Sequence, residues 1–257
     1  MVGLRKLLAV VPSIAVAAAM ALPLGILNAQ ETAIDQAAVD TLQRMTRFMG
    51  GLEQFGVHTQ VTYEDQLESG QRVDFDVSAE MLASRPDKFY GRRTGELLSQ
   101  EFFYDGKSLT LMNSGAGVYA TEAAPATIEG MLDLARDELN LFVPASDLVY
   151  ANAFELLMEG VTSAIVVGNT EINGRVCQHL AFSRPDVDFQ VWVEQGERPL
   201  PCKYVVTDTG TPAMLSVSTV MSDWNTAPAV PADMFSFTHP KGAHQIEFLP
   251  LDSASGH

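Results

Sequence analysis

Hydrophobic positions along the chain follow two periods, and the places where one gives way to the other outline the fold. Ile34, Ala38, Leu42, Met45 and Met49 recur at helical spacing, Thr32 stands where an N-cap is needed, and Gly50-Gly51 end the run. An amphipathic helix is predicted here. Val57, Thr59, Val61 and Tyr63 then alternate with polar residues, ESGQ turns the chain, and Val73, Phe75, Val77, Ala79 and Met81 alternate again. That period of two is a hairpin with one buried face. Further strands are expected from Lys88 to Arg93, from Leu98 to Tyr104 and, after the Asp105-Gly106 turn, from Ser108 to Met112.

The helical period returns in the middle. Pro125 opens a segment in which Ile128, Met131, Leu132, Ala135 and Leu139 share a face, and Asn152 with Glu155 forms a capping-box pattern for a shorter helix ending at Gly160. Strand patterning resumes from Ala164 to Ile172, turns at Asn173-Gly174, and continues through Arg175–Ser183, Val187–Glu194, Pro201–Thr207 and Met214–Trp224, with a last element from Gln245 to Phe248. Sequential hairpins of this kind make a meander. Each run of strands needs the other to cover its apolar face, and no repeat or linker divides them, so the fold class is α+β with one domain over residues 30–250. A long antiparallel sheet with helices gathered on one side curls, and its inner face is filled by side chains, by helices or by a ligand.

The two ends add a compartment. Arg5 and Lys6 precede a largely apolar run from Leu7 to Leu24 that closes on Leu27-Asn28-Ala29-Gln30. This is the pattern of a secretory signal over residues 1–29; Pro12, Pro23 and the small-residue exit favour cleavage over a membrane anchor, the alternative for a run of this length. No cysteine lies near the cut to accept a lipid. Export to the periplasm is expected, and residues 251–257 read as a disordered tail. Removing residues 1–29 takes away Arg5 and Lys6 and no acidic residue, which moves the formal net charge from −16 to −18. Such acidity repels phosphate backbones, and no basic stripe with interleaved aromatics offsets it, which argues against nucleic acid and anionic membrane surfaces.

Cys177 and Cys202 would enter an oxidising compartment, where a disulfide is the usual outcome. The meander, however, puts them on strands with a third strand between, about 9–10 Å apart, whereas a disulfide needs Cα atoms within about 7 Å. Two free, buried thiols are the expectation.

Candidate chemistry is sparse. The chain has no Gly-x-Ser-x-Gly, phosphate loop, dinucleotide glycine pattern or His-Glu-x-x-His, and its five histidines show no ligand spacing. Acidic neighbours such as Asp74 and Asp76 fall on the solvated face of a strand. No catalytic residue, metal or cofactor is expected. The 11 methionines are more telling: Met81, Met131, Met158 and Met214 fall in elements that would face the interior, where methionine suits either an adaptable pocket or ordinary gap-filling.

SRPDKFYG followed by YDGKSLTLMN resembles the LolA-type periplasmic lipoprotein carriers, as does FSFTHPKGA near the C-terminus. The resemblance implies a half-open antiparallel β-barrel with an N-terminal helix and a helical lid over an apolar cavity that holds acyl chains. Longer blocks, VPASDLVYANAFELLM, VDFQVWVEQGERPLPCKYVVT, SDWNTAPAV and HPKGAHQIEF, are similar to a family of predicted periplasmic proteins of unknown function in the same superfamily. For Arg85 the carriers imply a position beside the cavity with hydrogen bonds to the lid. The alternative is a strand-end arginine held extended before Pro86.

Together these features predict a non-enzymatic periplasmic binding or carrier protein that encloses an acyl chain or other apolar ligand beneath a lid of residues 125–160. Its expected ligand-binding residues are Phe75, Val77, Met81, Arg85, Phe103, Leu111, Met131, Leu132, Met158 and Trp192. Of Trp192 and its neighbours Val191 and Val193, alternation lets only one side face inward. The expected partner is an apolar ligand or acylated protein, bound by a monomer. The alternative is an envelope interaction or sensory domain whose interior is filled and which binds a partner protein without lipid cargo.

Overall fold

The structure is a computed structural model and describes residues 34–96, 98–231 and 233–248. The expected signal (1–29), the tail (251–257) and the Thr32 cap lie outside them. In chain order the elements are α1 (Gln36–Gly50), β1 (Gln54–Gln66), β2 (Arg72–Ser84), β3 (Lys88–Gly95), β4 (Ser99–Tyr104), β5 (Ser108–Asn113), β6 (Val118–Ala123), α2 (Ile128–Asp137), a single 3-10 turn (Ser146–Leu148), α3 (Ala153–Met158), β7 (Ser163–Ile172), β8 (Arg175–Arg184), β9 (Val187–Glu194), β10 (Pro201–Asp208), β11 (Ser216–Asn225) and β12 (His244–Gln245).

All the strands join one open sheet in the order β12-β6-β5-β4-β3-β2-β1-β11-β10-β9-β8-β7. Two antiparallel meanders, β1–β6 and β7–β11, meet where the first strand pairs with the eleventh, with Val61 opposite Thr219 and Tyr63 opposite Val217. β7 ends the sheet on one side, and on the other β12 adds to β6 in the parallel sense. The alternation read from the sequence sets the faces. Pairing of Phe55 with Ala83, Val57 with Met81 and Val61 with Val77 places all of these on the inner face, and burying such side chains contributes roughly 1.5–3 kcal/mol each.

The two meanders are covered differently. Across β7–β11 lies α1, whose buried Ala38, Leu42 and Met45 pack with Leu180, Phe182, Phe189 and Val191. Its cap is Asp35, whose side chain accepts from the Ala37 backbone N–H at 2.8 Å, and Ile34 bridges to Ala164 of β7 rather than opening the helix. Across β1–β6 lie α2, the 3-10 turn and α3. Thr127 caps α2 by accepting from the Gly130 N–H at 3.1 Å, and Ile128, Met131, Leu132 and Ala135 face Phe89, Phe102, Tyr104 and Leu109. The capping box expected at Asn152 does not form: its side chain makes no cap bond, and only its carbonyl accepts, from Leu156.

The cysteines require a correction, because Cys177 and Cys202 are bonded to each other with Cα atoms 6.6 Å apart. β9 does stand between their strands, but Cys177 faces its last residue, Glu194, and Cys202 sits in the bulge between Pro201 and Lys203. The two-strand spacing holds only while the middle strand continues. At its end, with an extra residue bending β10, the flanking strands close together.

Candidate functional site

Between α2 and the 3-10 turn, residues 138–145 cross the inner face of β1–β6 as an irregular strap. Asn140 and Ala145 take positive φ values of 51° and 58° within it, a conformation that costs a residue with a Cβ on the order of 1 kcal/mol. Few bonds hold the strap down. Leu141 N–H donates to the Ala135 carbonyl at 2.7 Å, and the ring of Phe142, though 55% exposed, meets the edge of Tyr63 at 6.2 Å. The Phe142 carbonyl accepts from Arg93 Nη1 at 3.1 Å.

Apolar space surrounds this strap. Beneath Val143 and Pro144 is a narrow gap of about 40 Å³, walled by Val61, Val77, Met81, Phe89 and Phe102. Beside Leu141 and Phe142 is a solvent-open cleft of about 330 Å³ against Tyr63, Phe75, Val77 and Arg93. Beyond Leu139 and Asn140 a third, of about 350 Å³, reaches Leu111, Tyr119 and Ala120. With the strap in place the central gap has the volume of only about three waters at 10–15 Å³ each, too little for an acyl chain.

Arg93 stands at the junction, since it, Tyr63 and Val77 border both of the first two spaces. The alternation of β3 that turns Phe89 and Gly91 inward turns Arg93 inward too. Its Nε donates to Gln100 Oε1 at 2.8 Å and its Cζ lies 4.9 Å above the Phe102 ring. Burial pulls the guanidinium below its ordinary pKa, with Tyr63 opposing, and burial pushes the Tyr63 phenol up, with Arg93 opposing.

A second arginine fastens the lid. Arg85 follows β2, and its cis peptide bond to Pro86 turns the chain toward β3. Its backbone N–H donates to the Glu53 carbonyl at 2.8 Å, and its Nη1 donates to Glu129 Oε1 on α2 at 3.0 Å. Nη2 donates to the Val149 carbonyl ahead of α3. Glu129 also accepts from the Ala151 N–H at 3.1 Å, and the Pro86 carbonyl accepts from Ile128 N–H at 2.8 Å. One guanidinium thus ties the strand end to two parts of the lid. It is only 14% exposed, and its Nε is buried without a hydrogen-bond partner among the described residues.

The expected site residues divide. Phe75, Val77 and Met81 border the spaces beside and beneath the strap, and Leu111 borders the third. Met131 and Leu132 are sealed between α2 and the sheet, while Met158 packs toward the α1 half. Two placements are corrected. Phe103 lies on the outer face against Tyr90 and Phe237, because Phe102 and Tyr104 take the inward positions of β4. Trp192 also faces outward, stacked on His179 at 3.9 Å with Lys203 over its ring, because Val191 and Val193 point in. Arg93, Tyr63, Phe89 and Phe102 are not among the expected ligand-binding residues, although their inward positions follow from strand period alone. Leu141, Phe142 and Val143 carry no periodic signal.

Among the described residues no group of three or more His, Cys, Asp or Glu side chains converges as a metal site. No curated protein matches the chain. Several solved structures are similar to it at low identity. LprF from Mycobacterium bovis is 14% identical with a TM-score of 0.48, over 82% of this chain and 99% of that one. The lipoprotein LppX from Mycobacterium tuberculosis is 15% identical with a TM-score of 0.45, over 76% and 98%. A LolA superfamily protein from Nitrosomonas europaea is 12% identical with a TM-score of 0.39, over 78% and 97%. A family profile, described as predicted periplasmic protein (DUF2092), matches residues 38–249, and the chain belongs to that family.

Proposed function

We propose that the protein binds an apolar chain on the inner face of β1–β6, by displacing the strap of residues 138–145. The observation that carries this reading is the division of that face into three apolar spaces by one irregular segment, while the other meander is packed by a continuous helix. Lifting the strap merges the gap under Val143 with the open clefts beside Phe142 and Leu139. Binding then draws on apolar area removed from water, at about 25 cal/mol per Å² before ordering costs, so selectivity among chains of similar length is low. Arg85 acts as the hinge-side fastening, since it holds both α2 and the approach to α3. A periplasmic binding or carrier role for an acyl-bearing molecule fits this geometry.

Organic extraction of protein purified from its native periplasm, followed by mass spectrometry, tests the reading. An acyl-bearing molecule is expected in the extract. Its absence, together with no uptake of the apolar dye N-phenyl-1-naphthylamine, would sink the proposal.

A second reading has one observation in its favour. Past the single bridge that Ile34 makes to Ala164, β7 is an open sheet edge, and Ile165, Val167 and Val176 at that end are each about half exposed, at 47%, 53% and 51%, which suits addition of a strand from a partner protein. Protection of β7 amides by an envelope partner, with no dye uptake by the β1–β6 half, would favour it.

A further inference from the structure

Arg93 carries an inference about the ligand's other end, and it rests on the apolar site proposed above. The guanidinium is half-buried at the meeting of two apolar spaces, and the groups it touches are neutral: Gln100 Oε1 at 2.8 Å, the Phe142 carbonyl at 3.1 Å, the Phe102 ring and the Tyr63 phenol, with Asp76, Glu80 and Glu96 on other parts of the same walls. No carboxylate comes within 4.0 Å of it among the described residues, although the chain holds 32 acidic residues against 16 basic ones. Arg72, Arg85, Arg136 and Arg175 each have one; of the described arginines that have none, Arg44, Arg47, Arg92 and Arg198 are exposed and Arg93 and Arg184 are half-buried. A cation removed from water without a counter-ion is an unfavourable arrangement unless something else neutralises it.

We infer that Arg93 is the anchor for the anionic head of a single-chain amphiphile, whose carboxylate or phosphate takes the place of the Phe142 carbonyl. The exchange is favourable because a guanidinium binds an oxyanion through two parallel N–H bonds and a carbonyl through one. It also accounts for opening, since the head group that binds Arg93 is the group that releases the strap. The tail then runs along Val77 and Met81 toward Phe89, in the gap that Val143 vacates. The protein's overall negative charge slows the approach of such a ligand but acts through salt-screened water, whereas the contact with Arg93 is made in a half-buried site.

Binding of 11-(dansylamino)undecanoic acid and of its methyl ester to the full chain tests the assignment. The acid is expected to bind on the order of tenfold more tightly than the ester, as a charge-assisted pair requires. Arg93→Gln is expected to abolish the preference for the acid over the ester, whatever the loss of the Phe142 bond does to both affinities, while Arg93→Lys keeps part of the preference. Competition by dodecanoate but not dodecyl phosphate would assign a carboxylate head; the reverse would assign a phosphate. Equal binding of acid and ester by the unaltered protein, a comparison that needs no variant to fold, would overturn the anchor and leave the apolar site standing. Failure of both to bind would overturn the site and the anchor together.

Discussion

The two halves of the sheet have apolar inner faces of similar chemistry and cover them by different means. Over β7–β11, α1 satisfies its own backbone hydrogen bonds, so the surface it presents is side chain only, and Leu42 and Met45 fill the space to zero exposure. Over β1–β6, the strap has no regular hydrogen bonding, so its carbonyls must find partners elsewhere, and Phe142 finds one on Arg93. A helix can be sealed onto a sheet; an irregular segment is held by separate contacts that open one at a time. Segments with few buried contacts and exposed bonds lie at the low-stability end of a fold, and here that segment lies across the apolar spaces.

The comparison can be broken first at the disulfide. Cys177 and Cys202, 25 residues apart, close a loop within the β7–β11 half, and on loop-closure grounds the bond contributes about 3.5 kcal/mol. Replacing both by Ser should lower the guanidinium midpoint accordingly without weakening dye binding in the β1–β6 half. Next, Leu42→Ala leaves a hole under a fully buried residue and should cost about 3 kcal/mol, whereas Val143→Ala in the strap should cost about 1 kcal/mol or less. Equal costs in urea melts would erase the distinction between sealed and separately held cover.

A smaller effect is expected at Arg85. Arg85→Leu removes the ties to Glu129 and Val149 and should cost about 1–3 kcal/mol, with faster dye release in stopped flow. Unchanged release would leave Arg85 as a strand-end residue only.

The least effect comes with alkali. Burial pushes Tyr104 and Tyr150 up to about 12, helped by nearby Asp87 for the first and Asp133 for the second. Both hydroxyls donate hydrogen bonds within the lidded half, to the Thr127 carbonyl and to Asp133. Because the folded values lie above the ordinary value of 10.0, the stabilisation is full below pH 10 and is lost as pH rises toward 12. Urea midpoints should fall over that window, and Tyr104→Phe with Tyr150→Phe should flatten part of the fall.

Much of this is legible in the sequence, and unevenly so. Alternation in β1 and β2 is clear because one face is core and the other water, and the same rule, applied strictly to β4 and β9, turns Phe103 and Trp192 outward. The disulfide is not legible from strand count, because it depends on where β9 stops and on a bulge at Cys202. Nor is the strap, since Leu139 continues the helical period past the end of α2 at Asp137, Leu141–Val143 have no period, and their placement depends on two αL residues and on Arg93. Arg85 could be named from the Arg-Pro pair, but its partners Glu129 and Val149 are set by tertiary packing alone.

Ligand binding as proposed requires one half of the inner face to open and the other to stay closed. Peptide-resolved hydrogen exchange with and without saturating dodecanoate measures this directly. Rapid exchange is expected over residues 138–145 in the free protein, with a change there on adding dodecanoate, and slow, unaltered exchange in α1 and β8–β10. Equal protection of the strap and α1, with no response to dodecanoate in either, would contradict it.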